Sequence, residues 1–590
     1  MKFFRKNWSN LIVILLAFIF FSLTSLYNYL IHEEDYVKWG SPDETANYFF
    51  VKNFALDSRL AVFEEANIIH EEIVRPRSVR SDHAWLKPVS FLGIIIYFGF
   101  LAKIVGVSLI PYFTPFIAAL GIIFFYLFIK RLFSERIALI SSFLLASFPV
   151  YIYYTIRSMF HNVLFLVFLI FFLYFISLSL SKKYSIKNKF LEFKLKSKVY
   201  LGMFFSILAG LFLGGAISSR TSEIIWLLPT ILIIYPFYFK RLGLRIFLVL
   251  SGILLAYLPI AYYNQLLYGS FLYGGYSEMN TSIQEITVAS QTIISSGLSG
   301  SLAYFNNYFE IIKKNVFYFG YKPRQSLDMF YNYVLLMFPI LSTLSALGVI
   351  LFLISYFRKL RKWKLAYLLA WFILSSILVL YYGSWEFFDN PDPSRYTIGN
   401  SYTRYWLPLY LLAIPLASMT IVFFAKLLSG SFSRPNLLGR YDRARKYLAD
   451  GLQVLAVSSF ISISLTFVIF GSEEGLIHSY YNHFRDKEAV AMVLNETEDE
   501  AIIVTQYHDK QLFPERKVVV ALLNHDRTNE TLGKLIDYYP VYYYNFFFPE
   551  ADFNYLNNRR LVPFGFNIEL VSRYGPFGLY RLIKYENYDL

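Results

Sequence analysis

Repeated apolar runs of 18 to 24 residues constrain this chain more than any other feature, because a stretch of that length crosses a hydrocarbon core about 30 Å thick as a helix. Lipid offers no partner for an unpaired peptide group, so such runs fold as helices with their backbone bonds satisfied internally. The composition agrees: of 590 residues, 56% are hydrophobic and only 16% charged. The chain is therefore expected to be a polytopic α-helical membrane protein. Its first run, roughly Leu11 to Leu30, follows Lys2, Arg5 and Lys6. The length of that run, and the lack of a small-residue cleavage site between Thr24 and His32, favour a retained anchor over a signal peptide.

A formal net charge of +14 does not point to nucleic acid, because the basic residues cluster between spans and not on one soluble face. They report orientation instead. Basic loops at Lys130 to Arg136, Lys182 to Lys198, Lys240 to Arg245, Arg358 to Lys364 and Lys426 to Lys446 are placed on the cytoplasmic side together with the N-terminus. Alternation then puts His32 to Ser108, Arg157 to Asn162, Ser218 to Glu223, Asn264 to about Phe330, Gly383 to Arg404 and everything after Phe470 outside. About eleven spans satisfy this pattern if Val89 to Val107 does not cross, so that stretch is read as an interfacial or re-entrant helix of a large first outer loop. Cysteine is absent, which excludes disulfides, thiolate metal sites and thiol catalysis.

The expected organisation is a transmembrane part over residues 1–470, with the acidic segment in outer loop 32–108, followed by a small extracytoplasmic α/β domain over 471–590. In that last part Asp486 to Thr497 and Thr531 to Tyr538 are expected as helices, and Ala501 to Thr505 and Lys517 to Leu523 as buried strands. Phe566 to Tyr585 is expected as a hairpin broken at Gly575 and Gly578. No glycine-rich phosphate loop accompanies it. The segment Asn264 to Phe330 is expected to be short on fixed structure, either a lid over substrate or a plain connection.

Four segments, all in expected outer positions, carry a family resemblance: Ser41-Pro42-Asp43-Glu44-Thr45-Ala46-Asn47-Tyr48; Arg157-Ser158-Met159-Phe160-His161-Asn162; Ser219-Arg220-Thr221-Ser222-Glu223; and Thr403-Arg404-Tyr405-Trp406-Leu407-Pro408. A fifth runs from Tyr263-Asn264-Gln265 through Tyr268-Gly269-Ser270-Phe271 to Gly275-Tyr276. In order and placement they resemble the GT-C superfamily of integral-membrane glycosyltransferases, the protein O-mannosyltransferase and aminoarabinose transferase type. The resemblance implies a polyprenyl-phosphate-sugar donor in the bilayer, a protein, lipid or glycan acceptor, inverting hexosyl or pentosyl transfer at the outer face of the cell membrane, and an acidic catalytic residue at the position of Asp43.

Sugar transfer from a lipid phosphate to a hydroxyl or amine needs a base near the acceptor and positive charge near the departing phosphate. Asp43 is the candidate base, flanked by Trp39, Tyr48 and Phe49; Glu44 is placed beside it to orient it or to bind a cation. The competing reading is that Ser41, Asp43 and Glu44 only cap a helix running through Asn53. Arg220 and Arg404 are the first candidates for the phosphate, with Arg157 and Lys87 next, and snorkelling to headgroups is the alternative for each. Tyr405 and Trp406 are read as interface belt. At His161-Asn162 the chain departs from relatives that carry an acidic residue nearby, so His161 is a candidate for phosphate contact or metal ligation. A divalent ion, if one binds, would draw on Asp43, Glu44, His161 and His83, with Asp82 beside it. Two other classes fit the pattern less well: a lipid-linked-glycan flippase or transporter, for which mid-membrane charges and paired repeats are missing, and a degenerate GT-C binding subunit.

Overall fold

The computed structural model describes residues 2–585 apart from 34–35, 70–71, 182–191, 297–308, 312, 316, 359, 388, 390–391, 393, 431–438 and 472–473. Most of the lysine-rich 182–198 loop and part of the 264–330 loop lie outside the described residues. The chain divides into two compact units. One comprises Met1–Tyr27, Tyr112–Ile260 and Thr281–His478, and the other Asn28–Pro111, Ala261–Asn280 and Ser479–Leu590.

Among the described residues ten helices are long and apolar enough to cross a membrane, from Trp8–Ile31 to Arg443–Phe470. An eleventh crossing is made if Glu135–Ser147 and Pro149–Ile156, bent by 52° against each other, form one span. The bend falls at Pro149, whose missing N–H and fixed φ break the ladder there. Small residues let neighbouring helices approach closely. A Cβ on Gly210 would sit 2.1 Å from the Val249 carbonyl oxygen, and one on Gly214 2.7 Å from that of Ile253, so helix Glu192–Ser219 meets helix Arg245–Tyr268 backbone to backbone.

The segment expected to be interfacial is helix Leu92–Val105, 14 residues long. At 1.5 Å per residue it reaches only about 21 Å, short of a crossing. Its apolarity serves packing: Ile94, Ile95 and Ile96 are fully buried, and Gly99 leaves room for the Phe54 ring of helix Pro42–Asp57. Its end leaves Phe100, Ile104 and Val105 exposed.

Three short antiparallel strands follow the acidic segment: β1 (Val62–Phe63), β2 (Val79–Asp82) and β3 (Trp85–Pro88), in the order β1-β3-β2. The C-terminal sheet has five: β4 (Ile502–Val504), β5 (Lys517–Val519), β6 (Val541–Phe546), β7 (Phe566–Tyr574) and β8 (Phe577–Lys584), in the order β5-β4-β6-β8-β7. Strand β4 runs parallel to β5 and β6, and β8 antiparallel to β6 and β7. This sheet shares its core with the first loop, because Ala66 and Val74 are buried with Ile502, Val504 and Tyr543, and Val74 bridges to Val519.

The 264–330 segment carries more structure than its polarity implies: Ser277–Ser296 is a helix of 20 residues. Just before it, Tyr268 donates its hydroxyl to the Pro88 carbonyl (2.7 Å), and Asn280 pairs with both the N–H and C=O of Gly274 (2.8 and 2.9 Å). Gly275 passes so close to the end of β3 that a Cβ there would lie 2.4 Å from the carbonyl oxygens of Pro88 and Val89. Gly275→Ala is therefore expected to cost about 1–3 kcal/mol through overpacking against backbone that cannot yield. A lower midpoint in a thermal melt of the detergent-solubilised protein is the check, and an unchanged midpoint contradicts this packing.

Candidate functional site

The acidic segment opens helix Pro42–Asp57. Ser41 is its N-cap, with extended backbone, but its side chain makes no capping bond. Asp43 does not cap the helix either. Its Oδ1 accepts from the Ser78 hydroxyl, its other oxygen takes no protein donor among the described residues, and the residue is half-buried. Glu44 is fully buried. Ser78 stands immediately before β2 in the left-handed region (φ 62°), which turns its hydroxyl away from its own strand's ladder. Of the aromatic residues expected around Asp43, Trp39 and Tyr48 lie against each other (ring centroids 5.2 Å) and Phe49 lies against Phe513 (4.7 Å).

The C-terminal domain reaches this segment directly. Lys38 is buried and donates to the Phe513 carbonyl and to Glu515 (2.6 Å); burial pulls its pKa down against the opposing pull of Glu515. Asp509, fully buried, binds Arg77, and Lys510 donates to the Gly40 carbonyl (2.6 Å). Burial, helped by nearby Lys510, lowers the pKa of the neighbouring His508 to about 4, so this imidazole is neutral at pH 7. Lys87, expected as a phosphate ligand, is held by Asp82 (2.8 Å) and the Leu267 carbonyl (3.1 Å). His83 projects outward, its side chain 95% exposed.

The remaining candidates lie in the other compact unit, where three arginines alternate with aromatic rings. Arg157 sits over the Phe160 ring at 4.8 Å and Arg404 over the same ring at 4.3 Å; Arg404 is also 5.2 Å from the centroid of Tyr405, and Arg220 4.4 Å from it. A guanidinium over a ring face is held by the ring quadrupole while its edge N–H groups stay available. Local structure sets each member. Arg157 caps helix Pro149–Ile156, and its Nη1 donates to the Tyr153 hydroxyl (3.1 Å). Arg404 lies in the short helix Ser401–Tyr405, N-capped by Asn400, and its Nη2 donates to Ser401 (2.7 Å). Asn162 donates to the Arg404 carbonyl (3.2 Å), tying the His161 turn to this row.

Arg220 differs from the other two. Its Nε donates to Glu223 (2.9 Å) and its Nη2 to the Tyr382 hydroxyl (3.3 Å), which itself donates to Glu223 (2.8 Å). Trp226 Nε1 donates to the second Glu223 oxygen. Both partners are nearly inaccessible, so one Arg220 donor serves an internal carboxylate and another the Tyr382 hydroxyl. Tyr405 and Trp406 are not interface belt. Trp406 is fully buried and donates to the Leu378 carbonyl (3.0 Å), and Tyr405 stacks on Tyr382 at 4.5 Å with two guanidinium groups near its ring. Among the described residues no three His, Asp or Glu side chains come together in a metal-binding group.

No protein-family model matches the chain, and neither does any curated protein. Solved structures do. The oligosaccharyltransferase of Archaeoglobus fulgidus, tethered to an acceptor peptide containing an NVT sequon, superposes with a TM-score of 0.52 at 13% identity, over 98% of this chain and 74% of that one. ArnT of Cupriavidus metallidurans, bound to undecaprenyl phosphate, superposes with a TM-score of 0.53 at 12% identity, over 95% of this chain and 97% of that one. The fold is GT-C-like. The multi-pass membrane architecture and the small C-terminal sheet domain belong to that fold. At this identity the likeness carries the fold and no residue roles.

Within the GT-C-like framework, sequence reasoning singled out Asp43 and the arginines from local motifs but missed Ser78, Arg77, Asp509 and the aromatic spacers. Ser78 and Asp509 carry no motif. Ser78 meets Asp43 across 35 residues of sequence and Asp509 meets Arg77 across 432, and only folding reveals these pairings.

Proposed function

We propose that this protein transfers a sugar from a polyprenyl-phosphate-linked donor to a hydroxyl- or amine-bearing acceptor, with Asp43 as general base and the arginine row receiving the phosphate. The observation that carries the reading is the state of Asp43: one oxygen fixed by Ser78 and the other open, at the head of a packed helix in a GT-C-like fold. In the reaction the open carboxylate oxygen takes the proton from the acceptor O–H or N–H as its heteroatom attacks the anomeric carbon. The bond from that carbon to the phosphate oxygen breaks, and the lipid phosphate leaves with the bonding pair. Opposite-face displacement inverts the anomeric centre. The neighbour that binds undecaprenyl phosphate supports a lipid-linked donor. The bilayer would keep the isoprenoid tail, with the reacting face extracytoplasmic and the N-terminus cytoplasmic, as the distribution of basic loops indicates.

For the phosphate, Arg404, Arg157 and Arg220 are the candidate donors, and Arg220 already donates to Glu223 and Tyr382. Arg404→Ala is expected to reduce kcat/KM for the donor by about 10- to 100-fold, the size of a charge-assisted hydrogen bond. Arg404→Lys should restore only part of it, because an ammonium neither stacks between Phe160 and Tyr405 nor donates as a planar fork. Steady-state kinetics over donor concentration are the check; wild-type kcat/KM in Arg404→Ala removes this residue from phosphate binding. No step is assigned to a metal ion.

The test of the whole reading is transfer, measured with purified protein on a panel of undecaprenyl-phosphate-linked hexoses and pentoses against peptide, lipid and glycan acceptors, with and without chelator. Sugar appearing on one acceptor class identifies donor and acceptor together, and the chelator arm decides metal dependence. Translocation of a lipid-linked sugar across vesicles without transfer would replace the transferase by a flippase.

A further inference from the structure

The same Asp43 site extends into the C-terminal domain. Asp509 is fully buried at the start of the short helix Asp509–Leu512. It accepts from the main-chain N–H of Arg77 (2.8 Å) and from that residue's Nε (3.0 Å) and Nη2 (2.5 Å). One carboxylate thus fixes both the backbone and the side chain of Arg77. The next residue is Ser78, held at φ 62° with its hydroxyl on Asp43. Left-handed backbone is disfavoured for a non-glycine residue, and Asp509 supports the turn from one side by holding Arg77. On the other flank of the acidic segment, the adjacent Lys510 donates to the Gly40 carbonyl (2.6 Å). One four-residue helix of the C-terminal domain therefore contacts both the acidic segment, at Gly40, and the turn that carries Ser78, through Arg77.

We propose that Asp509, Arg77 and Ser78 form a positioning relay through which the C-terminal domain aims the open oxygen of Asp43 at the acceptor. The inference rests on Asp43 being the base. A carboxylate that abstracts a proton must present a lone pair along the attack line, and misplacement by about 1 Å can cost 10²-fold in rate. Ser78 fixes one oxygen and so sets the direction of the other. Asp509 and Arg77 set where Ser78 stands.

The decisive variant is Ser78→Gly. Glycine occupies φ 62° without strain, so the fold is kept while the hydroxyl is lost. The expected result is a kcat lower by about 10- to 100-fold with donor KM within about twofold and no loss of thermal midpoint. Asp509→Ala should lower kcat similarly, Asp509→Asn less because it keeps an acceptor for the Arg77 N–H, and Ser78→Gly/Asp509→Ala no further than the worse single variant, as members of one relay are not additive.

Amide hydrogen exchange gives a readout that needs no substrate. Asp509→Ala should speed exchange at residues 40–46 and 76–79 and leave helix Leu92–Val105 protected. Asp43→Asn is run beside them. If Asp43→Asn is inactive while Ser78→Gly and Asp509→Ala turn over as wild type, the relay is overturned and the base assignment stands. If Asp43→Asn itself turns over as wild type, the base assignment falls and takes the relay with it. Unchanged exchange at 40–46 in Asp509→Ala overturns the relay whether or not a donor has been found.

Discussion

Asp43→Asn is expected to lower the rate of sugar transfer by about 10³-fold, within the range that a positioned general base contributes. The substitution is nearly isosteric, and the Asn carbonyl still accepts from Ser78, so the helix Pro42–Asp57 and its packing on Leu92–Val105 should survive. What disappears is the second carboxylate oxygen as a proton acceptor. Undecaprenyl phosphate binding by the variant should therefore stay within about twofold of wild type, and its thermal midpoint should not move. A variant that binds, melts normally and does not turn over separates chemistry from folding. One that turns over as wild type removes Asp43 from the reaction.

The second large effect is expected on stability. Arg220→Met leaves the Glu223 carboxylate, 2% exposed, with only the Tyr382 hydroxyl and the Trp226 indole as donors. Breaking a buried ion pair from one side costs about 3–5 kcal/mol, because the remaining charge stays out of water without its counter-charge. The thermal midpoint should fall by several degrees. The double variant Arg220→Met/Glu223→Gln should recover most of the loss, since a neutral amide needs no counter-charge. If Arg220→Met melts as wild type but loses donor affinity, Arg220 is instead a phosphate ligand and the internal ion pair contributes little. The contrast with Arg404 is informative: its substitution should appear in donor kcat/KM and scarcely in the melt.

The membrane architecture was legible because its signal is local and strong. Each span needs about twenty apolar residues in sequence, and no tertiary contact can disguise that. Helix Leu92–Val105 was expected to be something other than an ordinary span because counting basic loops left it without a place, and its length of 14 residues agrees with that expectation. Strand β6 escaped notice for a definite reason. Val541-Tyr542-Tyr543-Tyr544-Asn545 is buried throughout, between β4 and β8, so it lacks the alternation that marks a half-exposed strand. Helix Ser277–Ser296 escaped because its serines, its threonines and Asn280 read as loop.

The candidate site divides along the same line. Asp43, Glu44 and the arginines stood out as charges at the ends of apolar runs, where placement is expensive enough to imply purpose. The sequence by itself determined a polytopic helical protein with its ionisable groups gathered in a few short segments, because hydrophobic length and charge are properties of neighbours in the chain. Only the tertiary structure decided what those charges do. It gave Arg220 to Glu223, set Arg404 and Arg157 over one phenylalanine ring, and brought Asp509 to Arg77 and Ser78 to Asp43. Such pairings join residues up to several hundred positions apart, and a hydrogen bond depends on ångström distances that no local pattern encodes.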